Sequence, residues 1–160
     1  ILTSMIGDVT GAEIGYVPFK SGGEAAVQLA GDHVAANVNN PSENLGQWQA
    51  GMVKPVCVFK SEKLKSEGWT DVPTCKESGI AIDNYAMPRT VWLAAGVEQD
   101  VVDFYSGVLK KVSETPEWQK YLADTSQSGT YMSGADLAAF IEKDEAAVSE
   151  VLKREGWLAN

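Results

Sequence analysis

The hydrophobic pattern of the sequence changes near residues 86–92, and this change is the strongest constraint on the fold. Before it, short apolar runs alternate with helical stretches, an order typical of α/β proteins. After it, one apolar run at residues 90–94 precedes segments with helical spacing. One strand with helices cannot close a parallel sheet, whose faces are both covered. The pattern therefore predicts a domain boundary here, and a second part whose strand pairs with chain outside this sequence.

The part before the boundary predicts two successive strand–turn–helix units. Each turn would lie at the carboxyl end of a strand, where open α/β sheets bind their ligands. The predicted strands are residues 14–19, 33–38 and 52–59, and the predicted helices are residues 22–30, 41–50 and, as one short helix, 74–78.

Both longer helices of this part begin with capping residues. Ser21 and Glu24 have the spacing of a capping box, in which the side chains at N-cap and N3 accept each other's backbone N–H. Asn40, Pro41 and Glu43 repeat the arrangement, with proline at N1 where its missing N–H costs nothing. The N–H groups of such helix starts suit a carboxylate, although plain capping without a ligand explains the same residues.

Three helices are predicted after the boundary. The second begins at Thr115-Pro116 by the cap-then-proline rule, and the third is capped by Ser133 and ended by Gly156. Apolar residues at helical spacing predict a buried face on the first and the third helix. These residues are Val97, Val101, Phe104, Tyr105, Val108 and Val112 on the first, and Leu137, Phe140, Ile141, Val148, Val151 and Leu152 on the third.

Length and charge narrow the classes of partner. A chain of 160 residues can bury a core without disulfides or metals, and its formal net charge is −9. This charge disfavours nucleic acid and anionic membrane surfaces, because both require a positive face. No apolar run approaches the roughly 20 residues needed to span a bilayer. A small anion can still bind, since a local group of N–H donors and one arginine can outweigh a distant negative field.

Two cysteines and one histidine are too few for an ordinary zinc site. Cys57 and Cys75 form either a disulfide, as in an oxidising compartment, or two free buried thiols. A cysteine-dependent hydrolase that pairs either thiol with His33 is an alternative function, although no third orienting group accompanies His33 in a known local pattern. A further alternative is an interaction domain whose open sheet pairs with another chain.

Five short segments stand in an order and spacing that is specific when they are taken together. They are Val17-Pro18-Phe19-Lys20-Ser21-Gly22-Gly23-Glu24, Leu29-Ala30-Gly31-Asp32-His33-Val34, Asp71-Val72-Pro73-Thr74, Glu77-Ser78-Gly79 and Thr115-Pro116-Glu117-Trp118. Through them the chain, from about Tyr16 to its end, resembles the substrate-binding proteins of tripartite tricarboxylate transporters, also known as Bug-type periplasmic receptors.

The resemblance implies an α/β fold of the periplasmic-binding-protein type (type II, or Venus flytrap), in which two lobes close around a ligand. This sequence would be a partial, C-terminal portion of it. Residues 1–87 would form part of the second lobe, and residues 88–160 the strand and helices that return to the first lobe, with a hinge near residues 87–90. The rest of the first lobe, with a serine- and glycine-rich loop that contacts the ligand, would precede residue 1. Residues 1–160 alone would then bind ligand weakly or not at all.

The function implied by the resemblance is that of a non-enzymatic receptor. It would capture a small organic acid, a di- or tricarboxylate, in the periplasm and deliver it to the membrane components of a tripartite transporter. No signal peptide is visible in this sequence. Neither a cofactor nor a metal is expected, and neither nucleic acid nor membrane insertion.

Seven residues are predicted to contact the ligand. The resemblance places the turn at residues 39–42 in the cleft and Arg89 at its edge, where a guanidinium can hold a carboxylate through two parallel hydrogen bonds. The alternative for Arg89 is a surface pair with Asp83. Glu24 and Glu43 oppose a bound anion unless they turn back to their own caps. The predicted contacts are Ser21, Gly22, Gly23, Asn39, Asn40, Ser42 and Arg89.

Overall fold

The chain divides into two compact units, Ile1–Ala86 and Met87–Asn160, and the computed structural model describes residues 1–158 of it. Each unit has its own set of helices. That these units belong to two lobes of a larger fold stays a prediction.

The first unit contains the helices α1 (Leu2–Thr10), α2 (Gly22–Ala30) and α3 (Leu45–Gln49), with a 3₁₀ helix at Pro41–Glu43. The predicted bounds of α2 are confirmed. The helix predicted at residues 41–50 is instead split at Asn44 into the 3₁₀ turn and α3. Helix α1 was not predicted; it ends at Gly11, whose φ of 70° is the left-handed conformation that glycine adopts most readily.

The predicted strands do not form a sheet, so the α/β, periplasmic-binding-protein-like fold class is wrong for this structure. Among residues 1–158 the one β-pairing is an isolated parallel bridge between Val58 and Thr74. Residues 14–19, 33–38 and 90–94 carry no strand. An apolar run favours extended backbone, but a strand exists only when a neighbouring strand accepts its hydrogen bonds. These runs lack that neighbour.

The core of the first unit surrounds the isolated bridge. Val58, Trp69 and Val72 are buried together, with Trp48 and Leu64 packed against them. The rings of Trp48 and Trp69 meet edge-on, with centroids 4.8 Å apart. This core therefore joins α3 to the segments around residues 58 and 72.

A disulfide between Cys57 and Cys75 flanks this core, and it resolves the choice between a disulfide and two free thiols. Beside it, the Val58 N–H donates to the carbonyl of Pro73 at 3.0 Å, and the Cys75 N–H donates to the carbonyl of Val58 at 2.9 Å. Cys75 is completely buried. Covalent bond, backbone bridge and apolar core thus act on the same few residues.

The short helix predicted at residues 74–78 is a hydrogen-bonded turn instead. The Glu77 N–H donates to Thr74 Oγ1 at 3.1 Å, and the Thr74 N–H donates to Glu77 Oε2 at 2.8 Å. This reciprocal pair has the form of a capping box without the helix that usually follows it. Gly79, at a φ of 91°, then turns the chain.

The second unit contains α4 (Gln99–Ser113), α5 (Pro116–Asp124) and α6 (Gly134–Arg154). The start of α5 is confirmed: Pro116 is at N1, and the Trp118 N–H donates to Thr115 Oγ1 at 3.2 Å. Ser133 occupies the N-cap of α6 without a side-chain capping bond, and Gly156 follows its end in the left-handed conformation. In the described part of the chain no helix combines the length and apolarity that a bilayer crossing requires.

The predicted burial of the α4 face is wrong in this structure. All six apolar residues predicted for it are exposed, Phe104 to 65%, and Val97 precedes the helix, which begins at Gln99. On α6, Val151 is buried and the other five residues of the stripe are half-buried. The periodicity therefore identified the apolar faces correctly, but a face is buried only where another element packs on it.

Candidate functional site

The start of α2 carries three of the predicted contacts. The Glu24 N–H donates to Ser21 Oγ at 3.1 Å, and the Lys20 N–H donates to Glu24 Oε2 at 3.0 Å. The first helical hydrogen bond runs from the Ala25 N–H to the carbonyl of Ser21. The N–H groups of Gly22 and Gly23 precede that bond, so the helix itself supplies no acceptor for them. They are the donors that this helix start offers to an anion.

The second helix start carries the other three contacts of the first unit. Asn40 is at the N-cap of the 3₁₀ helix, Pro41 is at N1, and Ser42 lies half-buried inside the turn. The Asn40 N–H donates to Glu43 Oε2 at 2.8 Å. Glu43 therefore turns back to its own cap, as Glu24 turns back to Lys20.

Asparagine side chains hold the two helix starts together. Asn39 Nδ2 donates to the carbonyl of Gly22 at 2.8 Å and to Asn44 Oδ1 at 2.7 Å. The amides of Asn37 and Asn44 exchange two further hydrogen bonds of 3.3 Å each. The structure thus brings the contacts predicted at residues 21–23 and 39–42 into one region. Asn37 and Asn44 were missed, and the run of asparagines at residues 37–44 was the signal that could have identified them.

The carboxylate of Glu43 lies directly against Gly22. A Cβ atom placed on Gly22 would lie 2.4 Å from Glu43 Cδ and 2.5 Å from each of its carboxylate oxygens. A larger residue at position 22 would therefore force the flexible Glu43 side chain to move, whereas the backbone angle of Gly22 makes no such demand. The negative charge of Glu43 is consequently at the start of α2, where a helix favours an anion.

Arg89 belongs to the second unit and is exposed. Its Nη1 donates to the carbonyl of the adjacent Pro88 at 3.5 Å. Asp83, the predicted alternative partner, forms an ion pair with Lys76 Nζ at 2.8 Å. The role of Arg89 as a ligand contact stays a prediction.

The grooves of the second unit involve other residues. An open groove of about 520 Å³ includes Lys110, Tyr131 and Ser133 in its lining, and another of about 300 Å³ includes Trp92 and Ile141. Neither is lined by any of the seven predicted contacts. Among residues 1–158 no group of three or more His, Cys, Asp or Glu side chains is arranged to hold a metal ion.

Comparison with known proteins identifies the family. Residues 3–157 match the model of the tripartite tricarboxylate transporter family receptor, and the chain belongs to this family. Over 79 residues it is 33% identical to Protein BugT of Bordetella pertussis. That match covers 49% of this chain and 24% of the relative, so the shared stretch is about a quarter of the relative's length.

Proposed function

We propose that the chain acts as part of a periplasmic solute-binding receptor that takes up a small organic di- or tricarboxylate without chemical conversion. The receptor delivers this acid to the membrane components of a tripartite tricarboxylate-type transporter. The family match over residues 3–157 carries the proposal. The similarity to a Bug protein in Bordetella pertussis supports it.

The proposed ligand contacts are hydrogen-bond donors and one cation. The N–H groups of Gly22 and Gly23 and the side chain of Ser21 serve one carboxylate, and the turn with Asn39, Asn40 and Ser42 serves the ligand beside it. The hydrogen bond from Asn39 to the Gly22 carbonyl supports this grouping, because it holds the two turns next to each other. Arg89 supplies the bidentate grip that one carboxylate group accepts best.

The alternative of a cysteine-dependent hydrolase loses its nucleophile. Both cysteines are consumed by the Cys57–Cys75 disulfide, and a disulfide sulfur is not the thiolate that such catalysis requires.

The alternative of an interaction domain depended on an open sheet edge. No sheet is present among residues 1–158 to offer that edge. The binding function is therefore the one that the observations favour.

Titration calorimetry with the natural protein that contains this sequence tests the function. Titration with citrate or succinate should give heats of binding that saturate, and titration with an uncharged sugar of similar size should not. Arg89→Lys keeps the charge but loses the planar fork, so it should weaken binding of the acid by roughly tenfold. Arg154→Lys is the matched control, because Arg154 lies at the end of α6 and is no predicted contact.

Two results would contradict the proposal at different levels. A natural protein that binds no organic acid from a broad panel, in calorimetry and in native mass spectrometry, is not a carboxylate receptor. An Arg89→Lys variant that binds as tightly as Arg154→Lys removes Arg89 from the site and leaves the receptor function standing.

A further inference from the structure

A groove of about 300 Å³ in the second unit is lined by none of the seven predicted ligand contacts. One wall is the segment at residues 88–92, of which every second residue faces the groove, as in an extended chain. The other wall is a single face of α6, since its residues are spaced i, i+3, i+4 and i+7. The lining of this α6 groove is Pro88, Thr90, Trp92, Ile141, Asp144, Glu145 and Val148.

Trp92 is the aromatic part of the α6 groove. Its Nε1 donates to Thr90 Oγ1 at 2.9 Å, and this bond restricts the rotation of the indole ring. Both residues line the groove, and Trp92 is exposed, so the ring is held at the wall with its surface open to solvent. Among aromatic side chains, tryptophan has the face that attracts a cation most strongly.

The two carboxylates of the α6 groove have no cationic partner among residues 1–158. On a helix, an acid pairs with a base three or four residues away, and those positions around Asp144 and Glu145 hold no lysine or arginine. The Lys153 ammonium lies 3.8 Å from Glu150 instead. The groove lining contains no basic residue of its own. A positive group that enters the groove therefore meets negative charge that the chain leaves uncompensated.

The remaining lining residues define the rest of the occupant. Pro88, Ile141 and Val148 offer hydrocarbon surface, which suits an apolar body beside the positive group. A volume of about 300 Å³ is at the small end of the range for small-molecule sites. The net charge of −9 also favours the approach of a cation and opposes that of an anion.

We propose that the α6 groove binds a small organic cation, an ammonium group that carries a hydrocarbon body. The indole face of Trp92 and the carboxylates of Asp144 and Glu145 hold the positive group, and the aliphatic side chains contact the hydrocarbon. This site is separate from the proposed carboxylate contacts and takes a ligand of the opposite charge.

Choline and 3,3-dimethylbutan-1-ol test the role of charge, because a carbon atom in the alcohol replaces the charged nitrogen and the shape is kept. The natural protein that contains this sequence is titrated with each probe, and the indole N–H signal of Trp92 is followed by NMR. Trp92→Phe identifies that signal by its loss. Choline should shift the signal with saturation and bind roughly three- to tenfold more tightly than the alcohol, as expected for one exposed cation–π contact with a solvated ion pair.

Asp144→Asn combined with Glu145→Gln removes both charges from the α6 groove and keeps the side-chain shapes. This double variant should lose most of the preference for choline. Glu142→Gln combined with Glu150→Gln is the matched control, since it removes the same charge from α6 at two exposed positions outside the lining. The control should keep choline affinity within a factor of about two, because exposed charges are screened by solvent and salt. Thermal unfolding of both double variants checks that the helix has survived.

Each outcome decides the proposal. A preference for choline that is lost in the groove variant and kept in the control supports it. Equal binding of the two probes, or no shift of the Trp92 signal by either, overturns it. A preference that survives in the groove variant, or that falls equally in the control, overturns it as well. None of these results depends on binding of an organic acid, so the receptor function is tested separately.

Discussion

The two units contrast in how their aromatic residues are used. In the first unit, Trp69 is 6% exposed and packs against Trp48 beside a disulfide. In the second unit, Trp92 is 75% exposed and Phe104 is 65% exposed, although α4, α5 and α6 are regular helices. Helix formation is thus independent of burial in this chain. Local caps and periodicity are enough to define helices, whereas a core requires segments that are distant in sequence.

The largest expected effect of this contrast concerns Trp69. Trp69→Ala should lower the free energy of unfolding of the first unit by about 3–5 kcal/mol, because it removes a buried aromatic side chain and leaves a cavity beside Val58. Urea denaturation followed by amide hydrogen exchange measures this loss separately for each unit.

Trp92→Ala is the matched control in the second unit. Its ring is exposed, and its Nε1 donates to the nearby Thr90 Oγ1 at 2.9 Å, so the change should stay within about 0.5 kcal/mol. Similar losses for the two variants would mean that Trp92 is as buried in solution as Trp69, and the contrast between the units would fail.

The next effect concerns the disulfide. Cys57 and Cys75 are separated by 18 positions, and closing a loop of this length stabilises a fold by about 3 kcal/mol in the chain-entropy account. Cys57→Ser should therefore lower the stability of the first unit by about that amount. Hydrogen exchange at the Val58 and Cys75 amides is the direct measurement, since both take part in the bridge.

A reductant provides the control for that substitution. Reduction of the wild type should reproduce the loss, should have no effect on Cys57→Ser, and should leave hydrogen exchange in α6 unchanged. Faster exchange in α6 after reduction would show that the two units unfold together and not independently.

A smaller effect separates two adjacent glycines at the start of α2. A methyl group on Gly22 would displace the Glu43 carboxylate and its bond to Asn40, at a cost of about 1 kcal/mol. At Gly23 the nearest atom is Ser21 Oγ at 3.9 Å, so alanine there should stabilise the helix by up to about 1 kcal/mol. Gly23→Ala should therefore melt at a higher temperature than Gly22→Ala. The reverse order would show that Glu43 does not lie against Gly22.

The fold was predictable from sequence only where the signals were local. The Ser21 cap, the Thr115-Pro116 start and the Gly156 stop are each set within a few residues, and the structure confirms all three. The absence of a sheet among residues 1–158 was not predictable in this way. An apolar run such as residues 33–38 specifies extended backbone, but its pairing depends on a partner strand that its own residues do not encode.

The candidate site shows the same division. The sequence located both helix starts, because capping boxes span four residues; Glu43 accepts from its N-cap Asn40 as such a box requires, whereas Glu24 accepts from Lys20, one residue before the Ser21 cap. It did not show that Glu43 would cross to Gly22, or that Asn39 would join the two starts, since those contacts depend on how α2 and the 3₁₀ helix approach each other. That Arg89 contacts the ligand stays a prediction.

The smallest expected effect is a pH dependence that belongs to the first unit. The hydrogen bond from the Thr74 N–H has the largest effect and lowers the pKa of Glu77. Burial, the next largest effect, opposes it, and Lys63 and the Thr74 side chain each lower the pKa by less. Because the folded pKa is depressed, Glu77 contributes stability at pH values above the ordinary glutamate range near about 4.3. That contribution is lost as the pH falls through the lowered folded value.

Wild type should therefore lose stability of the Thr74–Gly79 turn below about pH 4, and Glu77→Gln, which keeps an acceptor but does not titrate, should lose less. Glu67→Gln, at an exposed position nearby, is the control and should follow the wild type. Hydrogen exchange at the Thr74 and Ser78 amides from pH 3 to 6, corrected for intrinsic rates, measures the difference. Equal acid sensitivity of all three proteins would show that the turn is held by the bridge and the disulfide alone.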